Sequence, residues 1–131
     1  MLVASAIYLF SNHYKEQRLN ARVSEELEIS LNEEIDLIDR KSIGSIEEGG
    51  DISLLSIKRS DCEQVHAAIE NFNDRLKGNV FPSSDVGEFL VEIELKLVDP
   101  ITTYARDEKG NTLFYAFDRS KCLLVREAYF E

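Results

Sequence analysis

The strongest structural signal in the chain is residues 60–78, Ser60-Asp-Cys-Glu-Gln-Val-His-Ala-Ala-Ile-Glu-Asn-Phe-Asn-Asp-Arg-Leu-Lys-Gly78. Ser60 followed three residues later by Glu63 is the pattern of a capping box, which predicts a helix start. Gly78 is a typical residue just past a helix end. The sequence therefore predicts a helix over 61–77, and its apolar face at helical spacing comprises Val65, Ala68, Ile69, Phe72 and Leu76.

Strand patterns surround this helix. Apolar and charged residues alternate over 89–97, which favours a half-buried antiparallel strand, and strands are also predicted at 101–106, 112–118 and 121–130. Before the helix, residues 42–59 resemble a hairpin because Glu48-Gly-Gly-Asp51 is a suitable turn. The expected fold class is α+β, an antiparallel sheet of about four to five strands with helix 61–77 across one face.

A long N-terminal helix is predicted over 12–41. Its apolar residues recur every three or four positions, at Leu19, Val23, Leu27, Leu31, Ile35 and Ile38. Segment 27–31 also alternates with period two and is compatible with a strand. This pattern divides the chain into a stem, 1–41, and a globular domain, 42–131. The stripe Leu19, Val23, Leu27 and Leu31 is either a surface for a partner helix or part of the domain's own core.

Residues 1–10 carry no charge and are mostly apolar. A membrane-spanning helix needs about 20 such residues, so this segment is half the required length. It also lacks the basic start and small-residue cleavage site of a signal peptide. Two interpretations remain open: the end of a membrane anchor whose first half lies upstream, or a buried segment of the core.

The chain has 25 acidic and 15 basic residues, a formal net charge of −10. Such a surface repels DNA and RNA over most of its area, so we expect no nucleic-acid contact. Residues 24–51 contribute ten acidic and two basic residues. They form either a solvated face or a surface that attracts a basic protein partner, and the candidate contacts are Glu25, Glu26, Glu33 and Glu34.

No motif indicates catalysis. The sequence contains no glycine-rich phosphate loop, nucleophile elbow or zinc-protease motif. Cys62 and His66 lie four residues apart on the predicted helix, but no third ligand or orienting residue accompanies them at a recognisable spacing. We therefore expect a non-enzymatic protein without catalytic residues, metal or cofactor.

The two cysteines are candidates for a structural disulfide. Cys62 lies in the first turn of the predicted helix on the side facing the sheet, and Cys122 begins the last strand. A bridge would hold the helix on the sheet in an oxidising compartment, whereas in a reducing one both residues would be small buried side chains.

The layout resembles the periplasmic portion of ToxR-type membrane-anchored transcription regulators, or their small bitopic partners of the ToxS, TcpH and PsaF/MyfF kind. The features that carry the resemblance are an apolar start, a helical stem, a small α+β domain, and the cysteines in Asp61-Cys62-Glu63 and Lys121-Cys122-Leu123. It implies an intradomain Cys62–Cys122 disulfide and a position at the periplasmic face of the inner membrane. It also implies sensing of a signal, such as a small bile-like amphiphilic ligand or pH, through an obligate protein partner. The chain has no winged-helix DNA-binding domain, so it would be a sensory end or a partner protein.

Two other functions compete with this expectation. An acidic cytosolic immunity or inhibitor protein that neutralises a basic toxin also fits the charge and size. A pilin-like subunit shares the apolar start, long helix and late cysteine, but position 5 is Ser5 and not the glutamate of processed pilins.

Overall fold

The computed structural model describes residues 19–44, 49–75, 84–106 and 110–130. They form one five-stranded antiparallel sheet, ordered β1-β2-β5-β4-β3, and three helices. In chain order the elements are α1 (19–27), β1 (Asp36–Gly44), β2 (Gly49–Ser56), α2 (Arg59–Arg75), α3 (Ser84–Glu92), β3 (Ile101–Arg106), β4 (Thr112–Asp118) and β5 (Leu123–Phe130). The predicted α+β class with an antiparallel sheet is confirmed.

Both faces of the sheet bury apolar side chains. On one face α1 and α2 pack against the sheet, and this core contains Val23, Leu27, Leu55, Val65, Ile69, Tyr115, Phe117 and Leu124. On the other face α3 and the segment after it cover a second core of Ile52, Leu54, Val86, Phe89, Phe114, Ala116 and Val125. The expectation of a single helix across one face was therefore incomplete, because α3 covers the opposite one.

Helix α2 confirms the helix prediction, but its start differs in detail. The helix begins at Arg59, so Ser60 is already inside it. The Ser60 hydroxyl donates to Glu33 Oε2 at 2.8 Å, and Glu63 accepts hydrogen bonds from Arg119. The predicted capping box is thus wrong, because both of its side chains bind partners elsewhere. Residues 76–78 lie outside the described residues.

The predicted helix over 12–41 is wrong beyond residue 27. Helix α1 ends at residue 27, and residues 36–44 form strand β1, so the proposed boundary after residue 41 falls inside a strand. Glu28 adopts a left-handed backbone with φ of 57°. The amide of Ile29 donates to the Ser24 carbonyl at 2.9 Å and that of Glu28 to the Glu25 carbonyl at 3.3 Å. These two bonds form a Schellman motif, which ends the helix.

The predicted strand over 89–97 is also wrong. Residues 84–92 form α3, in which Val86, Phe89 and the half-buried Leu90 face the sheet at helical spacing, and Ile93, just past the helix end, packs against the same core. Val91, which strand alternation would bury beside Phe89, is 77% exposed. The helix ends like α1, with Glu94 left-handed and the Leu95 amide donating to the Leu90 carbonyl at 3.0 Å.

The strands predicted at 101–106, 112–118 and 121–130 are confirmed as β3, β4 and β5, and β3 and β4 form an antiparallel hairpin. β1 and β2 also form a hairpin, but it spans 36–56 and not 42–59, and Gly49, Gly50 and Asp51 of the predicted turn lie in β2. Gly50 lies within β2, where an added Cβ would come 1.9 Å from the Ala128 carbonyl oxygen. The glycine is therefore required by the close approach of β2 and β5 rather than by the turn. β5 occupies the centre of the sheet between β2 and β4.

The N-terminal predictions for residues 1–18 lie outside the described residues. Within the described ranges, no helix has both the length and the apolar character needed to cross a membrane.

Candidate functional site: a buried ion pair beside an arginine-lined cavity

The site is built around Arg126 in the central strand β5. Alternation along β5 directs Leu124, Arg126 and Ala128 to the face covered by α1 and α2, and Arg126 is only 3% exposed. In the sheet it lies opposite Ser53 of β2 and Tyr115 of β4. A buried guanidinium is costly unless a carboxylate pairs with it, so its partners determine what this region can do.

Helix α1 supplies the partner carboxylate, Glu26. Arg126 donates from Nε to Oε1 at 2.8 Å and from Nη2 to Oε2 at 2.7 Å, a bidentate pair. The hydroxyl of Tyr115 donates to the same Oε1. Since Val23 and Leu27 anchor α1 in the core, Glu26 is held at a fixed depth beside Arg126.

The environment keeps both partners of Glu26 in their ordinary protonation states. Burial alone would lower the pKa of Arg126, but its hydrogen bonds to Glu26 and the nearby charges raise the pKa above its usual value. Burial and the Glu26 charge raise the pKa of Tyr115 well above its usual value. Arg126 is therefore a permanent cation, and Tyr115 is a neutral hydrogen-bond donor.

A second carboxylate extends the network outward. Asp51 Oδ1 lies 3.8 Å from Arg126 Nη1, and Asp51 Oδ2 lies 2.5 Å from Arg40 Nη2. The charges thus continue from Glu26 through Arg126 and Asp51 to Arg40, whose side chain is 46% exposed. These alternating negative and positive charges form a row that runs from the core to the surface.

A cavity of about 230 Å³ opens beside this network. It is lined by Leu19, Arg22, Leu37, Arg40, Asp51, Ser53 and Arg126. The cavity lining supplies three guanidinium groups and the carboxylate of Asp51, and Glu26, behind Arg126, adds a second carboxylate. This local excess of positive charge contrasts with the net charge of −10 of the whole chain.

Asp61 organises the loop between α1 and β1. It is 1% exposed and accepts hydrogen bonds from the backbone amides of Asn32 and Glu33 and from the side chain of Gln64. Burial tends to raise the pKa of Asp61, but these hydrogen bonds favour the carboxylate more, and the pKa lies below its ordinary value. Asp61 fixes the loop onto α2 and thereby the position of α1.

The predicted disulfide is present. The sulfurs of Cys62 and Cys122 lie 2.27 Å apart, with a Cα–Cα distance of 5.6 Å, and both residues are buried in the core under α2. The Nδ1 atom of His66, one turn further along α2, lies 3.5 Å from Glu70 Oε1, and the His66 ring packs against Phe117. The described residues hold no group of three side chains suited to a metal ion.

The structure distributes the predicted contact residues over several environments. Val23 and Leu27 are buried in the domain's own core, and Leu19 and Leu31 are half-buried against it. Glu26 is held by Arg126 and Tyr115, Glu33 accepts from Ser60, and Glu25 and Glu34 are exposed. The stripe on α1 thus belongs to the core, which was one of the two interpretations left open.

Sequence reasoning missed Arg126, Tyr115 and Asp51 as a group. One signal was available, because Arg126 interrupts the apolar series Leu124 and Ala128 on the buried side of a predicted strand. Such a position indicates a buried charge that needs a partner. Comparisons with known proteins give no relative: no protein-family model, no curated protein and no solved structure matches this chain.

Proposed function

We propose that this chain is a non-enzymatic sensory or regulatory domain at the periplasmic face of the inner membrane, tethered there and acting by binding a partner protein. The observation that carries the proposal is the Cys62–Cys122 disulfide. Such bonds persist in oxidising compartments and are rare where cellular thiols are kept reduced. The apolar character of residues 1–10 supports the tether.

The surface around β1 supports a role in protein binding. β1 is an edge strand, so one side of its backbone is unpaired within the sheet. Ile38 is 54% exposed at the register shift in this strand, and the neighbouring Glu34, Asp36 and Asp39 are exposed carboxylates. A partner that offers an apolar contact surrounded by basic residues would complement this edge.

The thiol state of the native protein tests the compartment. Cells that express the full chain are quenched in acid, the protein is denatured with an alkylating reagent, and its intact mass is measured. We expect no alkylated cysteine, because Cys62 and Cys122 are bonded to each other. The matched control is the same sample reduced before alkylation, which should gain two adducts. Two adducts without reduction would contradict the proposal and favour the acidic cytosolic inhibitor.

A pair of surface variants tests the binding edge. Ile38→Ser removes the exposed side chain of β1, and Val98→Ser removes one of similar exposure, 50%, between α3 and β3. Once crosslinking in the native host has identified a partner, its affinity should fall for Ile38→Ser and stay unchanged for Val98→Ser. Equal affinities for the wild type and Ile38→Ser would exclude this edge.

A further inference from the structure

We propose that the cavity beside Arg126 is a binding site for a small aliphatic monocarboxylate. This inference goes beyond the proposed function and depends on neither the disulfide nor a protein partner. It rests on three properties of the lining: unused guanidinium donors, a small excess of positive charge, and an apolar wall.

The lining arginines retain hydrogen-bond donors. Arg126 donates hydrogen bonds from Nε and Nη2 to Glu26, while its Nη1 lies 3.8 Å from Asp51 Oδ1, beyond hydrogen-bond distance. Arg40 donates a hydrogen bond from Nη2 to Asp51 Oδ2. Arg22 makes no ion pair or hydrogen bond with another residue of the described ranges. Because a guanidinium has five N–H donors arranged to match a carboxylate, these groups are suited to receive one.

The charge around the cavity favours a monoanion. Arg22, Arg40 and Arg126 face Asp51 and Glu26, which leaves one positive charge in excess. A single carboxylate would neutralise it, whereas a dianion such as phosphate would reverse its sign beside the buried Arg126 network. Arg126 is 3% exposed, so the field of its charge is screened less by water than that of a surface arginine.

Leu19 and Leu37 supply the apolar wall. Both are half-buried, and part of each faces the same cavity as the arginines. The cavity volume of 230 Å³ corresponds to about eight water molecules at ~30 Å³ each. An aliphatic acid with a short chain would place its carboxylate among the arginines and its methylene groups against the leucines, which an inorganic ion cannot do.

The test is a titration of the oxidised full chain, followed by amide chemical shifts in NMR at low ionic strength. The probes are hexanoate, hexan-1-ol, which keeps the chain and lacks the charge, and inorganic phosphate. We expect hexanoate to shift amides near Arg22, Leu37, Ser53 and Arg126, with a dissociation constant on the order of 1 mM for a ligand of this size. Hexan-1-ol and phosphate should bind at least about tenfold more weakly.

Two exposed arginines provide the variants. Arg22→Gln should weaken hexanoate binding about threefold or more, since a partly exposed charge pair is lost. Arg59→Gln, the matched control, changes an exposed arginine that lines a different surface depression and should leave the affinity unchanged. The proposal is overturned by any of four results: no saturable shift with hexanoate, equal binding of hexan-1-ol, stronger binding of phosphate, or equal loss in both variants.

Discussion

Truncation of Glu26 to alanine would leave Arg126 charged and buried without its main partner. In the folded protein Arg126 makes two hydrogen bonds to Glu26, and Tyr115 donates a third. Asp51 lies 3.8 Å away and is already bound by Arg40, so it cannot replace Glu26 without breaking another pair. Glu26→Ala should therefore be among the most destabilising single changes in α1.

The expected magnitude follows from the burial of the pair. Removing one partner of a buried ion pair costs about 3–5 kcal/mol. The Glu26 side chain is 23% exposed, so water can reach Arg126 through the space left by the truncation, which favours the lower end of this range. The acceptor lost by Tyr115 adds about 1 kcal/mol. We expect the free energy of unfolding to fall by about 3–4 kcal/mol.

Urea denaturation measures this loss. With a slope of about 2 kcal/mol per molar urea, the unfolding midpoint should fall by roughly 1.5–2 M. Glu25→Ala is the matched control, because it makes the same substitution at the neighbouring exposed position of α1, and it should cost less than about 0.5 kcal/mol. A midpoint for Glu26→Ala within about 0.3 M of that of Glu25→Ala would refute the reasoning.

A double variant separates the charge from the packing. Glu26→Ala combined with Arg126→Met removes both charges and keeps an apolar side chain of similar length in β5. Since no unpaired charge remains, we expect the double variant to be more stable than Glu26→Ala alone by about 1 kcal/mol or more. Equal or lower stability would show that the unpaired guanidinium is not the cause of the loss.

Three further predictions concern the scaffold. Replacing Cys62 and Cys122 together by alanine should lower the free energy of unfolding by about 4 kcal/mol, because the bridge closes a loop with a sequence separation of 60. Differential scanning calorimetry with and without reductant measures this loss, and an unchanged melting temperature would contradict the prediction. Gly50→Ala should destabilise by more than about 2 kcal/mol, because its Cβ would overlap the Ala128 carbonyl, whereas Gly87→Ala, with no atom within 4 Å of its Cβ, should stabilise α3 by about 0.5–1 kcal/mol. Thermal melts followed by circular dichroism compare the two, and shifts of the same sign would count against the close approach of β2 and β5. The lowered pKa of Asp61 means that its carboxylate stabilises the fold fully above about pH 4, its unfolded value, and that this contribution is lost as the pH falls toward the folded value. Asp61→Asn should thus be less stable than the wild type near pH 6, with a gap that narrows near pH 3; a gap independent of pH in urea titrations would disprove the assignment.

The sequence predicted the elements whose periodicity was unambiguous. β4, β5 and α2 were located to within about two residues at most described ends, because each carries one clear apolar repeat. The strand prediction for residues 89–97 was wrong because their alternation at Phe89, Val91 and Ile93 coexists with a helical repeat at Phe89, Leu90 and Ile93. Two apolar patterns overlapped, and the tertiary contacts with the sheet favoured the helical one.

The ends of α1 and α3 could not be recognised from composition. Each helix stops at a Schellman motif whose left-handed position is usually occupied by glycine, but here it is Glu28 or Glu94. The apolar spacing of α1 therefore continues into β1 without a recognisable break. The candidate site could not be predicted from the sequence, because Glu26 and Arg126 are 100 residues apart and only the folded protein brings them together.

The position of β5 has a consequence for the timing of folding. The strand made last among the five lies in the middle of the sheet, so β1–β2 and β3–β4 remain separate hairpins until residues 123–130 have been synthesised. Cys122 immediately precedes this strand, and the covalent link to α2 must also wait for it. The nascent polypeptide therefore cannot complete this sheet before β5 has been made, and the pairing of β5 with β2 has to close a long loop, which slows folding.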